Sequence, residues 1–309
     1  MSQQNNIENL SSSNNPLVSV VMPAFNTIKY IENAVNSIIE QSCTDWELII
    51  VDDCSTDGTG EYLTSIKHPK IRVFKNEANL GYSGSVNYAI SKSLGKYIAK
   101  MDSDDISLPQ RLQMQIQYLE SHPEIDCVGC GIVRVTEDLK TVIYKIIYPE
   151  IDRAIKQIVA FDRRFFFGPN IWLPDCCIMA KSQWLKENPY TRSIKHGQDF
   201  ELFLRKANSS QYANVPEFLH IYRKAGITSI SRNQLSSIWT KFKVILSNGF
   251  STNSMRIYSI IGLLSLLLRP LIVLFLNSRI YNYRHVLFGE AETGAAFLEK
   301  LMKQQKGQF

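Results

Sequence analysis

The stretch KYIAKMDSDD, residues 96–105, decides the fold, because Tyr97 to Met101 reads as a short buried strand that runs straight into Asp102, Ser103, Asp104 and Asp105. A second run of the same design, ELIIV at residues 47–51, ends in Asp52 and Asp53. Two further strand-like runs lack the acids: LVSVVM at 17–22, closed by Pro23, and Ile71 to Phe74. Between these runs the apolar period changes to three-and-four spacing. Tyr30, Ile31, Ala34, Val35, Ile38 and Ile39 mark one helix, and Tyr62, Leu63 and Ile66 a second, entered through Asp57-Gly58. Val86, Ala89 and Ile90 mark a third, opened by the loop NLGYSG at 79–84. Strands alternating with helices predict an α/β fold with a mostly parallel, doubly wound central sheet flanked by helices. In such sheets ligands bind beyond the carboxyl ends of the strands, near a switch in strand order. Acid at two strand ends is therefore acid in a ligand crevice.

Downstream, Leu108-Pro109 opens an amphipathic helix carrying Met114, Ile116, Tyr118 and Leu119, and Asp126 to Val135 reads as a strand. Past Lys140 the pattern blurs, as expected where a second subdomain covers the sheet edge; a helix begins at Asp199 to Leu204. The leader, residues 1–15, is polar and is expected to be disordered. It has no apolar core of a secretory signal, so the six cysteines are expected to stay reduced in a cytoplasm. Cys127 and Cys130 form a C-x-x-C without a second pair at zinc-ribbon spacing, which favours buried small hydrophobes over a metal site.

With 309 residues, 45% hydrophobic and 20% charged, the chain is too apolar for a disordered protein. A net charge of +5 suits weak attraction to anionic lipid or phosphate-bearing substrates and is too diffuse to indicate nucleic acid. The strongest hydropathy feature is Ile257 to Leu276, long enough to span a bilayer but interrupted by Arg269-Pro270. It reads as a helix or helical hairpin lying in the membrane interface, with a buried core helix and a true span as alternatives.

The chemistry is expected at the acidic strand ends. Carboxylates gathered within a few ångströms repel unless something positive neutralises them. A hard divalent cation does so, and Mg²⁺ or Mn²⁺ takes one or two carboxylates together with substrate phosphate oxygens. Asp52-Asp53-Cys54-Ser55-Thr56-Asp57-Gly58 imitates the start of a calcium loop, but Thr64 stands where that loop needs a bidentate Glu, and a strand precedes it. A carboxylate there is better placed to accept a hydrogen bond from a nucleobase N–H.

Four blocks, VSVVMPAFN, ELIIVDDCSTDGT, NLGYSGSVNYAI and KYIAKMDSDDISLPQRL, resemble in order and spacing the family-2 glycosyltransferases of GT-A fold, especially bacterial lipopolysaccharide, O-antigen and capsule enzymes. FGPNIWLPDCCIMAKS, HGQDFELFLRKA and VPEFLHIYRKAGITSIS continue the likeness, which covers roughly residues 17–232. The resemblance implies a catalytic domain over 16–235, with a nucleotide-sugar-binding half (16–135) and an acceptor half (136–235), and a helical, membrane-associated appendage over 236–309. By the same likeness Pro23, Ala24 and Phe25 line the nucleotide pocket, Asp53 accepts the uracil N–H, and Asp102 approaches the ribose. Asp104 and Asp105 hold the metal, Mn²⁺ or Mg²⁺, on the donor diphosphate, and Asp199 is the catalytic base. Arg111 and the pair Tyr222-Arg223 fall near phosphate or acceptor. The implied activity is metal-dependent, inverting transfer from a UDP-sugar to a glycan or lipid-linked glycan at the cytoplasmic face of the inner membrane.

Two positions depart from the family pattern. Ala225 stands where Tyr-Arg-x-His would place a histidine, leaving His220 or Lys224 as substitutes, and Gln198 replaces a frequent Glu before the base. Two other readings compete: a sugar nucleotidyltransferase, for which MPAFNTIKY supplies no Gly-rich triphosphate loop, and a non-catalytic nucleotide-sugar-binding subunit.

Overall fold

The computed structural model describes residues 15–140, 142–146, 173–206, 209–223, 299 and 301. The leader up to residue 14, the apolar stretch 257–276, Lys224 and Ala225 lie outside the described residues.

The amino-terminal half alternates as its apolar periods require. Strand β1 (Val18–Ala24) is followed by α1 (Ile31–Ile39), β2 (Trp46–Asp52), α2 (Thr59–Ser65), β3 (Ile71–Lys75), α3 (Gly81–Lys92) and β4 (Tyr97–Lys100). These four strands lie parallel in the order β3-β2-β1-β4, so the chain reverses its direction of travel across the sheet between β1 and β4. Both faces are buried. Val18, Val20 and Met22 of β1 pack with Ile31, Ala34, Val35 and Ile38 of α1, while Val21 faces Val86, Ala89 and Ile90 of α3 on the other side.

Pro23, expected to close β1, lies inside it. The strand runs on to Ala24, and Pro23 sits past Val21, the last residue that β1 pairs with β4. On that side no ladder is left for its missing N–H to break.

The remaining elements extend the same sheet. After the two-residue β5 (Ile106–Ser107) come α4 (Arg111–Ser121), β6 (Cys127–Val135) and β7 (Val142–Ile146). Then β8 (Met179–Lys181), α5 (Ser182–Glu187), α6 (Gln198–Lys206) and β9 (Tyr212–Arg223) follow. β8 pairs antiparallel with β4, and the sheet continues β8-β6-β9-β5, with β7 on β6. Along β9, Pro216 and Glu217 fall at a register shift against β6 and are exposed, which accommodates a proline in a long internal strand. Cys127 and Cys130 project to opposite faces of β6, one into each core, so their thiols cannot converge on one ion. All six cysteines are free thiols.

Gly95 marks the tightest backbone approach at the amino end of the sheet. A Cβ there would lie 2.6 Å from Ser19 N and 2.8 Å from the Val18 carbonyl carbon. Backbone atoms cannot swing aside, so Gly95→Ala should cost about 1–3 kcal/mol. A lower urea midpoint with unchanged slope would show it; an unchanged midpoint would mean that the β4 entry is looser than it looks.

Candidate active site

The carboxyl ends of β1, β2 and β4 lie side by side at the switch in strand order. β2 is tied to β1 there by Asp53 N–H donating to Ala24 O at 2.9 Å. Asp53 is buried, and its Oδ1 accepts from Asn76 Nδ2 at 2.7 Å and from Leu80 N–H at 2.8 Å. Asn79 Nδ2 reaches the Asp53 carbonyl at 3.0 Å. Oδ2 of Asp53 accepts no hydrogen bond among the described residues, so one oxygen orients the carboxylate and the other remains available. Pro23 and Ala24 are buried beside it, while Phe25 stands 49% exposed at the rim, a large apolar surface with nothing yet packed on it.

The loop that grips Asp53 also reaches the second acidic strand end. Asn79 Oδ1 accepts Gly81 N–H at 3.2 Å, and Gly81 opens α3 at φ +71°, a conformation suited to glycine. One residue on, the Tyr82 hydroxyl donates to Asp102 Oδ1 at 2.9 Å. Residues 79–82 thus connect the base-side and β4-side carboxylates.

The three acids after β4 separate by direction. Asp102 and Asp104 keep solvent contact, whereas Asp105 has none. Both Asp105 oxygens are engaged by β9: Oδ2 with His220 Nε2 and Oδ1 with Arg223 N–H, each at 2.9 Å. Asp105 thereby ties β9 to the acidic loop, and with Cys176 and His220 it forms a buried group whose ligand atoms lie within 4.8 Å of one another and could hold a metal ion. His220 is fully buried, and its Nδ1 has no hydrogen-bond partner among the described residues. Burial, then the charges of Asp105 and Asp102, push the Asp104 carboxyl up to about 7. Burial and the Asp102 charge likewise push Asp105 well above the carboxylate range. Arg223 lies beside this group with its guanidinium 5.2 Å above the Tyr30 ring. Its Nε and Nη2 have no hydrogen-bond partner among the described residues.

Arg111 faces inward. Its side chain is fully buried, and Nη2 donates to the carbonyls of Lys100 and Ile178 while Nε donates to Gln115 Oε1 at 3.2 Å. It braces β4 from beneath.

Four residues that sequence reasoning missed form the floor of the site. Lys100, last in β4, is 0% exposed, and its ammonium contacts Tyr82 Oη and Asp175 Oδ2. Tyr190 Oη donates to Asp175 Oδ1 at 2.5 Å. Burial alone would push the Lys100 ammonium down, but the charges of Asp175 and Asp102 outweigh it and hold its pKa above the ordinary lysine value. Asp199, in the first turn of α6, lies close enough for its charge to help raise the Tyr190 phenol, behind burial and Asp175. A signal did exist: Lys100 is the one charged residue of an otherwise apolar strand, two residues before the first acid of D-x-D.

Residues 19–178 match the family described as Glycosyl transferase family 2. The chain belongs to this family. It is 32% identical over 273 residues to MJ1057, an uncharacterised glycosyltransferase of Methanocaldococcus jannaschii, covering 84% of this chain and 91% of that one. It is 35% identical over 103 residues to WfgD of Escherichia coli, a UDP-Glc:alpha-D-GlcNAc-diphosphoundecaprenol beta-1,3-glucosyltransferase. That match spans 33% of this chain and 41% of WfgD. Among solved structures, S. aureus TarS 1–349 in complex with UDP-GlcNAc aligns with a TM-score of 0.60 at 20% identity, covering 85% of this chain and 74% of that one. The family-2 glycosyltransferase has the GT-A fold, a large, mostly parallel sheet flanked by helices.

A raised carboxyl in the folded state binds a proton that the unfolded chain, with its lower pKa, has already released. Asp104 therefore favours folding at low pH, and that contribution is lost as pH rises from about 4 to about 7. Without divalent cations, Tm should fall by several degrees between pH 5 and pH 8, and Asp104→Asn should flatten the decline. An equal decline in the variant would place the pressure elsewhere.

Proposed function

We propose that the chain is an inverting glycosyltransferase that moves a sugar from a UDP-sugar to a hydroxyl of a growing cell-surface glycan. The reading is carried by one observation: the carboxylates that follow β2 and β4, Asp53 and Asp102, are tied together through residues 79–82 at the switch in strand order. The printed activity of WfgD, UDP-Glc donor and beta-1,3 product on a diphosphoundecaprenol-linked sugar, and the nucleotide sugar in TarS support the donor and acceptor classes.

In this reading Asp53 Oδ2 accepts the uracil N–H, and Pro23, Ala24 and Phe25 bound the base. Asp102 meets the ribose. Asp104, a half-desolvated carboxylate crowded by Asp105 and Asp102, suits a hard cation with oxygen ligands and would hold Mn²⁺ or Mg²⁺ against the diphosphate. When bound, such a cation supplies Lewis-acid stabilisation of the departing diphosphate. Arg223, with unpartnered guanidinium nitrogens beside the acids, adds positive charge on the same side. Asp199 takes the proton of the acceptor hydroxyl as it attacks the anomeric carbon from the face opposite the diphosphate. One base and no enzyme nucleophile give inversion.

The purified chain with Mn²⁺ and acceptor should release UDP from a UDP-sugar, and chelation should abolish release. Asp199→Asn should lower kcat by about 10²–10⁴-fold, the range of general-base catalysis, with donor KM nearly unchanged. Full turnover by that variant would remove the base.

Attachment at the cytoplasmic face of a membrane through residues 257–276 belongs to the same reading, since a lipid-linked acceptor is presented there. No helix among the described residues is long and apolar enough to cross a membrane. The full chain should sediment with membranes and a chain ending at residue 256 should not; equal partition of the two would rule out attachment through this stretch.

A further inference from the structure

The buried set Lys100, Tyr82, Asp175 and Tyr190 has no role in the chemistry above, yet it lies directly beneath it. A lysine with no solvent contact is costly unless paired, and Lys100 has one carboxylate partner, Asp175, itself nearly buried. The Lys100 ammonium also lies 4.8 Å from the Tyr82 ring centroid and 5.3 Å from that of Tyr190, so aromatic faces wall the pair off from water.

Counting protons shows what the arrangement does. Tyr82 has one hydroxyl proton and two carboxylates within reach, Asp102 Oδ1 at 2.9 Å and Asp175 Oδ2 at 3.3 Å. Asp175 Oδ2 already accepts from the Lys100 ammonium, and Oδ1 from Tyr190. Lys100 also points a donor at the Tyr82 oxygen, so that oxygen serves as acceptor and its own proton is left for Asp102. A hydrogen bond polarised by a cation at one end and an anion at the other is stronger than a neutral one.

We propose that Lys100, acting through the Tyr82 hydroxyl, is a positioning residue that pins Asp102 Oδ1, fixing the carboxylate so that its other oxygen meets the ribose hydroxyls of the donor. Asp175 and Tyr190 hold the ammonium in place. The inference rests on the donor reading above and deepens it by assigning recognition of the ribose to residues outside the nucleotide pocket.

The test measures binding of UDP and of 2′,3′-dideoxy-UDP by calorimetry, with the full chain and Mn²⁺. The native chain should prefer UDP by about tenfold or more, the scale of a hydrogen bond to a charged group. Tyr82→Phe, which keeps the ring and deletes only the hydroxyl, should bring the ratio close to one while leaving dideoxy-UDP affinity within about twofold. Lys100→Met is made together with Asp175→Asn, so that no carboxylate is left buried without its cation, and should do the same. Lys100→Arg should restore part of the preference. A purely structural role would weaken both nucleotides equally and leave the ratio intact, which overturns the proposal. A native chain that binds both nucleotides equally also overturns it while sparing the donor reading; one that binds neither brings down the donor reading and this inference with it.

Discussion

Carboxylates do not gather in a desolvated cleft without compensation, and this constraint orders the whole catalytic edge. Asp102, Asp104 and Asp105 lie within mutual electrostatic reach, and Asp175 meets Asp102 across Lys100 and Tyr82. Each is handled differently. Asp175 is paired with a fully buried lysine, and Asp105 is hydrogen-bonded to His220 and to a backbone N–H of β9. Asp102 accepts from a phenol. Asp104 has no side-chain hydrogen bond among the described residues, and burial with the charges of Asp105 and Asp102 raises its pKa. The charge left uncompensated is the charge presented to a ligand.

The same contacts explain why distant stretches of chain are joined. β9 is locked to the acidic loop through Asp105, so His220 and Arg223 are brought under the acidic loop by a strand that lies three positions from β4 in the sheet. The start of α3 touches Asp53 with a backbone N–H and Asp102 with a hydroxyl, so the carboxylates after β2 and β4 are tied to one element. A site assembled this way is preorganised before any nucleotide arrives, which is what differential stabilisation of a transition state requires.

Much of the first half was legible because its signals are local. Residues of β1 to β4 are continuous apolar runs, α1 has a clean stripe, and acids at strand ends can be read without knowing the partners. The second half resisted. β8 has three residues and β5 has two, too short for any period, and β9 contains a proline that reads as a breaker until its register shift is seen. Arg111 beside an acidic motif looks like a phosphate ligand in sequence. Only its position on the inward stripe of α4, with Leu112, Gln115, Ile116 and Leu119, turns it under the sheet.

Sequence alone determined the alternation of strands and helices, the parallel half of the sheet and the acid-rich crevice, because these follow from period, propensity and the position of charge along a strand. The division of labour among neighbouring acids was decided only in three dimensions. Adjacent residues such as Asp104 and Asp105 have the same chemistry on paper, and what separates them is which one meets His220 and which one meets water. Likewise Lys100 and Asp175 are 75 residues apart, and pairing across that distance leaves no trace in local pattern.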